Sequence, residues 1–220
     1  MSDGAAHFRT AAHSRTADPT ATADPTATAA ATADVDVDAA ATAAAVDGRW
    51  FRDVLGNFPT SVVAITTTDV GARPHGMIVG TFTSVSLDPP LVSFLADRSS
   101  TTLRTIRTAG RFCANALAGD QERLSRKLAS GPALERFADV TWRASPLGDP
   151  VLDGVVAWVD CTVEQAVEIG DHLLVVGRVR DLRVESMKTP LLFFRGGYGD
   201  YLSSEALLLD RLVGWDETGR

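Results

Sequence analysis

The segment from Pro74 to Leu95 carries the residues of this chain that are best placed to bind a ligand. It reads PHGMIVGTFTSVSLDPPLVSFL, two apolar, β-branched runs on either side of Asp88-Pro89-Pro90. Hydroxyl side chains are concentrated between the two runs, at Thr81, Thr83, Ser84 and Ser86. So many hydroxyls are unusual for a plain core strand, and they suggest a strand edge with small hydrogen-bonding groups laid against a flat polar ligand.

A second candidate for binding is the start of a predicted helix at Ser99 or Ser100 that runs to about Ala109. Hydroxyls, free backbone N–H groups and Arg98 or Arg104 would converge there, and a helix N-terminus attracts anions such as phosphate. A simple N-cap with solvated Ser and Thr explains the segment equally well when it is taken alone. Its position after the hydroxyl-rich segment favours phosphate binding over a simple N-cap.

Other catalytic signatures are missing from the sequence. Neither nucleotide-binding fingerprint, GxGxxG or GxxxxGK[ST], is present, and neither GxSxG nor HExxH occurs. Cys113 and Cys161 lie inside apolar runs without metal-binding spacing, which predicts two buried, reduced thiols. A hydrolytic or metal-dependent mechanism therefore has little support.

Composition narrows the class of protein. The 220 residues are 45% hydrophobic, which is ordinary for a globular protein, and the formal net charge is −7. This acidic balance argues against a nucleic-acid partner. The sequence has neither a run of about 18 apolar residues nor a secretory signal, so we expect a cytoplasmic protein without a membrane segment.

The chain divides into three parts by composition. Residues 1–46 are mostly Ala, Thr, Asp and Pro, which predicts a disordered arm, either without function or serving as a tether or docking arm. Residues 47–202 have the composition of a folded domain. Residues 203–220 form an extension whose Leu/Val stripe, LLLDRLV, predicts a short helix.

Most of the predicted elements of the folded domain are strands. Asp47 is expected to cap a short helix, and Asp120 a second one, Gln121–Ala129. The strand candidates are Ser61–Thr67, Gly76–Ser86, Leu91–Leu95, Arg111–Leu117, Val155–Ile169, His172–Val184 and Leu191–Phe194. Without an alternating βαβ rhythm, this order predicts a mainly β, antiparallel barrel with a few short flanking helices.

From about Trp50 to Tyr201 the chain resembles the short-chain flavin reductases that serve two-component monooxygenases. Six ordered stretches carry the resemblance: FRDVLGNFPTSVVAITT, the HGM…FTSVSLDPPLV block, RSSTT, FCANAL, GDHLLVVGRV and PLLFFRGGYGDY. The resemblance implies a homodimeric FMN-binding split β-barrel of Greek-key topology. It also implies reduction of free FMN or FAD by NADH or NADPH, with reduced flavin passing to a reduced-flavin-dependent monooxygenase.

The resemblance also implies the site residues. It assigns flavin contacts to Ile78, Val79, Gly80, Thr81, Ser84, Val85 and Ser86, phosphate-side contacts to Ser99, Ser100 and Thr101, and an aromatic near the ligand edge to Tyr198. His172 would lie beside the nicotinamide as the catalytic residue. Direct hydride transfer from nicotinamide C4 to flavin N5 needs no acid or base from the protein.

The chain departs from the family at two positions, since the family usually has Thr at the position of Ile78 and Ser or Asn at that of Gly80. Two side-chain hydrogen bonds, each worth about 0.5–1.5 kcal/mol, would then be absent unless backbone groups carry the contact. Weaker flavin retention would suit an enzyme that releases flavin.

Alternatives remain at single residues and for the function. His172 is also explained as an ordinary hairpin histidine and Tyr198 as a core-sealing tyrosine. For Asn115 we favour a satisfied buried polar group over a direct flavin contact. Arg136 and Phe137 lie in a loop that either covers an adenine or is solvated. The alternative functions are a non-catalytic FMN-binding protein, a split-barrel flavoenzyme acting on another small molecule, and an interaction module.

Overall fold

The computed structural model describes residues 45–130, 132 and 135–201. The predicted arm, apart from its last two residues, and the extension at 203–220 lie outside the described residues, so both remain predictions. The helices of the described part are α1 (Gly48–Leu55), α2 (Thr101–Ala109) and α3 (Glu122–Ala129), and a 3₁₀ turn (Gly119–Gln121) precedes α3.

Strands make up most of the regular structure. In chain order they are β1 (Thr60–Ser61), β2 (Val63–Thr68), β3 (Pro74–Val79), β4 (Thr83–Leu87), β5 (Pro90–Asp97), β6 (Arg111–Ala116), β7 (Trp142–Ala144), β8 (Pro150–Leu152), β9 (Ala157–Ile169), β10 (His172–Val184), β11 (Leu191–Phe194) and β12 (Gly197–Asp200). Seven of them form one sheet in the order β3-β2-β6-β9-β10-β5-β4, with antiparallel neighbours throughout. The predicted mainly β, antiparallel architecture with short flanking helices is confirmed.

The two edges of this sheet are brought together by the chain itself. β3 and β4 lie at opposite edges, yet only the three residues Gly80–Phe82 connect them. Four residue steps from Val79 to Thr83 span at most about 14 Å, so the sheet must curl until its edges approach. Thr81 marks the junction, because its hydroxyl oxygen accepts a hydrogen bond from the Leu95 backbone N–H at 2.9 Å.

The prediction of a single strand from Gly76 to Ser86 is therefore wrong. The chain leaves β3 after Val79 and starts β4 at Thr83, where it pairs with β5 instead of β2. The connecting residues cross from one sheet edge to the other without interrupting the hydroxyl-rich pattern. Residue periodicity alone therefore does not reveal the break.

The main core fills the curled sheet and is closed by α2. Phe94 and Phe112 are fully buried and meet edge to face, with ring centroids 5.1 Å apart. Leu103 and Ile106 of α2 are also buried in this cluster. Gly177 leaves the space that the Phe112 ring occupies, since a Cβ there would lie 2.4 Å from Phe112 Cζ. The packing of α2 fixes the position of its N-terminus.

Asn115 is a buried polar group with its hydrogen bonds satisfied, as the favoured interpretation predicted. Its side chain is fully buried, and its Nδ2 donates to Thr66 Oγ1 at 3.1 Å and to the Pro150 carbonyl at 3.2 Å. Its Oδ1 accepts from the Leu152 N–H at 2.9 Å. The side chain therefore pins β8 to the main sheet.

The helix starts follow the predictions in one case and depart from them in another. The Asp47 carboxylate accepts from the N–H groups of Arg49 and Trp50 at 2.9 Å each, so its role as N-cap of α1 is confirmed. Asp120 does not cap α3. It lies inside the 3₁₀ turn, which the Gln121 side chain stabilises by accepting from the Ala118 N–H, and α3 begins at Glu122.

Both cysteines are free and buried, as predicted. Burial raises the pKa of the Cys113 thiol far above its usual range and that of the Cys161 thiol to about 12. Among the helices of the described residues, none combines the length and the apolar character that crossing a bilayer requires.

Candidate ligand-binding cleft

A cleft of about 1160 Å³ opens where β3 ends. Its floor includes the last residues of β3 and the start of the link to β4, Met77–Thr81. Its walls come from the end of β5, the first residues of α2, the β9–β10 hairpin, the end of α3 and one face of α1, Gly48, Phe51 and Arg52. Elements distant in sequence thus meet at the junction of the two sheet edges.

The floor exposes backbone and little side chain. Gly80 is exposed and lacks a Cβ, and the Thr60 Oγ1 lies 2.8 Å from where that Cβ would be. The side chain of Val79 packs into the main core, and that of Ile78 packs into a second cluster on the other side of the sheet. A flat ligand on this floor would meet backbone N–H and C=O groups.

The N-terminus of α2 forms one wall. Ser100 is its N-cap and accepts from the Leu103 N–H at 3.2 Å. The first N–H groups of a helix have no acceptor within the helix, so those of Thr101 and Thr102 remain for an anion. Of the two arginines considered, Arg98 instead lies 3.7 Å from Glu168, and Arg104 lines a neighbouring groove.

Asp97 organises the loop that precedes this helix. Its Oδ1 accepts from both the backbone N–H and the hydroxyl of Ser99, each at 2.7 Å. These two hydrogen bonds lower the pKa of the Asp97 carboxyl below its usual value. Ser99 is therefore held in place by Asp97, and its hydroxyl proton is engaged within the loop.

His172 lies at the start of β10, opposite Asp97 in the β5–β10 ladder, and it lines the cleft. Its Nδ1 is 2.6 Å from Asp171 Oδ1. This contact lowers the pKa of the Asp171 carboxyl and leaves the His172 Nε2 for a ligand. The ring is about 42% exposed, so a ligand reaches it directly.

Arg136 lines the same cleft, and its Nη1 donates to the Gly76 carbonyl oxygen at 3.1 Å. Gly76 allows the loop to pack closely, because a Cβ there would lie 3.0 Å from the Phe137 ring. These contacts argue against solvated loop charge, and the covering of an adenine by this loop stays a prediction.

The structure brings eight of the twelve predicted site residues to this cleft. These are Ile78, Val79, Gly80, Thr81, Ser99, Ser100, Thr101 and His172. It does not bring Ser84, Val85 or Ser86 there, because they lie along β4 after the break in the predicted strand, and Val85 is 53% exposed. Their flavin contacts stay predictions.

Tyr198 is also outside the cleft walls. Its hydroxyl is 3.0 Å from Ser125 Oγ, its ring meets Phe193 edge to face at 5.2 Å, and the Arg126 guanidinium lies 4.8 Å from its centroid. The tyrosine borders a small side pocket of about 150 Å³ that shares Ile78, Val79 and Gly80 with the cleft. These contacts favour the core-sealing alternative.

Several lining residues were not foreseen. They include Gly48, Phe51 and Arg52 of α1, Leu128 and Ala129 of α3, and Ile169 at the hairpin. The apolar stripe of α1 is visible in the sequence, but its side chains are exposed in this chain. The apolar stripe is the signal in the sequence that α1 packs against another surface. Its exposure in this chain indicates that this surface belongs to a ligand or a partner.

The arrangement suits the binding and alignment of a flat ligand that carries a phosphate. The described residues contain no cluster of three or more His, Cys, Asp or Glu side chains that could hold a metal ion. The bare floor at Gly80 fits a flat ring system with polar edge groups, and the N-terminus of α2 fits its phosphate. These residues therefore fit a flavin, and the cleft has room for a second ligand beside it.

Comparison with known proteins identifies the family. Residues 55–201 match the family described as "Flavin reductase like domain". A flavin reductase of Pseudomonas putida is 48% identical over 165 residues, which cover 75% of this chain and 96% of that protein. The reductase subunit HsaB of a flavin-dependent monooxygenase from Rhodococcus jostii is 41% identical, covering 76% and 84%.

Solved structures of similar proteins support this family assignment. Nitrilotriacetate monooxygenase component B from Mycobacterium thermoresistibile is 41% identical, with a TM-score of 0.67 over 70% of this chain and 86% of that one. The NADH:FAD oxidoreductase SgcE6 of Streptomyces globisporus C-1027, in complex with NAD and FAD fragments, is 30% identical, with a TM-score of 0.67 over 74% and 99%.

Proposed function

Because this chain belongs to the flavin reductase family, we propose that it reduces FMN or FAD with NADH or NADPH in the cleft described above and releases the reduced flavin to a partner monooxygenase. The observation that carries the proposal is that a single cleft combines the exposed backbone around Gly80, the N-terminus of α2 and His172. The relatives that are reductase subunits of monooxygenases support the partner. The cytoplasm, which holds the NAD(P)H pool, would be the place of action.

The two ligands supply the redox chemistry, and the chain binds and orients them. The backbone at Val79 and Gly80 would meet the polar edge of the flavin, and the N–H groups of Thr101 and Thr102 its phosphate. His172, held by Asp171, would contact the nicotinamide nucleotide through Nε2. None of these residues has to accept or donate a proton during the transfer, because hydride passes directly between the two ligands.

Anaerobic mixing tests the function. We expect purified protein to perturb the absorbance spectrum of added FMN or FAD, and we expect catalytic bleaching of that spectrum when NADH or NADPH is added. Binding without bleaching would indicate the non-catalytic FMN-binding alternative. Absence of both binding and bleaching would rule out the proposed function.

We also propose that a second copy of this chain covers α1. None of the residues of α1 is buried, and Trp50 and Phe51 are 65% and 55% exposed. An apolar helix face of this kind needs a partner surface, and α1 also borders the cleft. Sedimentation equilibrium should give the mass of a dimer. Trp50→Glu should shift it to a monomer, whereas Val70→Glu, at a fully exposed turn, should not.

A further inference from the structure

A second groove of about 810 Å³ runs along α2 and shares Thr101 with the cleft. Its near wall is the face of α2 that carries Thr101, Arg104, Thr105 and Thr108. Its far wall is the turn between β2 and β3, where Val70 and Ala72 present apolar surface and Asp69, whose carboxylate is paired with Arg73 at 3.0 Å, contributes a negative charge. The groove therefore begins at the predicted phosphate end of the cleft and leads away from it.

The near wall is polar and continuous. Residues three, four and seven positions after Thr101 share a helix face, and the wall from Thr101 to Thr108 is about 10 Å long at 1.5 Å per residue. The hydroxyls of Thr105 and Thr108 donate to the carbonyls of Thr101 and Arg104, at 3.2 and 3.1 Å. Their oxygens remain able to accept hydrogen bonds from a ligand.

Arg104 gives the groove an unmatched positive charge. Its guanidinium is exposed and forms no hydrogen bond or ion pair with any other residue in the part of the chain that the structure describes. Arg111, at the end of the groove, differs because it is engaged by Asp149 at 3.2 Å and by Thr68 at 2.7 Å. The free charge lies one helical turn beyond the N-terminus of α2.

From this placement we propose that the groove along α2 binds the AMP half of FAD. The inference rests on the proposed function, which puts the flavin phosphate at the N-terminus of α2. In FAD the second phosphate is joined directly to the first, so it would lie next to Arg104, and the ribose would follow along Thr105 and Thr108. The apolar surface of Val70 and Ala72 offers a face for the adenine.

The groove has the size expected of such a site, since small-molecule sites occupy about 300–1,000 Å³. FMN lacks the entire AMP half, so the groove would distinguish FAD from FMN while leaving the flavin ring and first phosphate bound alike. FMN is thus an internal control for every variant of the groove.

The first experiment compares Arg104→Gln with Arg107→Gln. Both remove one exposed positive charge from α2, but Arg107 does not line the groove. We expect Arg104→Gln to raise the Kd for FAD about tenfold, as the loss of one charge-assisted hydrogen bond would, and to leave the Kd for FMN unchanged. Arg107→Gln should leave both constants unchanged.

A second measurement needs no variant. AMP added to the wild-type protein should compete with FAD in fluorescence titrations and leave the binding of FMN unaffected. This competition experiment remains informative if the Arg104 variant does not fold.

Three results would overturn the proposal. Equal weakening of FAD and FMN by Arg104→Gln would place Arg104 at the phosphate that both share. A raised KM for NADH, with FMN as flavin and FAD affinity unchanged, would assign the groove to the nicotinamide nucleotide's adenylate. No effect on any ligand would leave the groove without this role. A wild-type protein that reduces neither flavin would instead refute the proposed function itself.

Discussion

The Thr60 hydroxyl fills the space that a side chain at Gly80 would need, with Oγ1 2.8 Å from the position of a Cβ. Thr60 is β-branched and held in β1, so it has little freedom to move aside. The hydroxyl also has no hydrogen-bond partner among the described residues. A side-chain oxygen is therefore present beside the floor of the cleft, although it does not come from residue 80.

Gly80→Ser should be destabilising for this reason. We expect the free energy of unfolding to fall by about 1–3 kcal/mol, the usual cost of overpacking, and flavin affinity to fall with it. Thr60→Ala in the same chain should restore most of both losses, since it removes the group that collides. Urea unfolding and flavin fluorescence titration measure the two effects. Purely additive losses in the double variant would contradict the steric explanation.

His172→Ala should separate the two ligands. We expect the KM for the nicotinamide nucleotide to rise about tenfold, while the Kd for flavin changes less than about twofold, because only the nucleotide is proposed to contact the ring. Asp171→Asn should change the KM in the same direction by less, since it leaves the ring in place. Equal losses for both ligands would show that His172 is an ordinary hairpin residue or part of the flavin site.

Tyr198→Phe should cost stability and spare the ligand. Loss of the contact with Ser125 Oγ should lower the free energy of unfolding by about 1 kcal/mol, and Ser125→Ala should give a similar, non-additive loss. Tyr198→Leu, which also removes the ring, should leave the Kd for flavin unchanged. A weakened flavin complex in the Leu variant would support the flavin-edge contact that the family resemblance implies.

Asp160 should make stability depend on pH. The carboxyl is fully buried, and its desolvation raises its pKa above the unfolded value of about 3.9. The folded state therefore binds this proton more tightly, and the stability it contributes is complete below pH of about 3.9 and is lost as pH rises through the folded pKa. Asp160→Asn should flatten that decline in urea unfolding, and exposed Asp153→Asn should not.

The two thiols should be inert in the folded protein. Burial raises the pKa of both, and the thiolate is the reactive form, so a thiol-specific reagent should label neither Cys113 nor Cys161 under native conditions. Both should react in urea. Rapid labelling of the native protein would show that the core around β6 and β9 opens readily.

How much of this fold the sequence predicts depends on how local each feature is. The N-cap at Asp47, the hairpin that presents His172 and the strand of Asn115 all follow from patterns within about ten residues, and the structure has them. The break between β3 and β4 does not, because a crossing between sheet edges preserves the alternation that identifies a strand. The same break explains why Ser84 and its neighbours lie apart from Gly80.

The sequence predicts only part of the cleft, because only some of its walls come from local motifs. The floor and the helix N-terminus each belong to one continuous stretch of the chain, and both stretches are recognisable in the sequence. Its other walls, from α1, α3 and Arg136, are assembled by tertiary packing, and no spacing in the chain predicts which helix face will border a cavity. The sequence indicates Arg104 as a cation near the helix start, but only the geometry of α2 shows that it lines a different groove.

The hydrogen bond from Leu95 to Thr81 has a consequence for how the two sheet edges are joined. At this seam a hydroxyl side chain takes the place of the backbone partner that a regular ladder would supply. Rotation of the Thr81 side chain would break this hydrogen bond and leave every backbone hydrogen bond of the β4–β5 ladder in place. At this point the two sheet edges are therefore joined by a side chain instead of by backbone pairing.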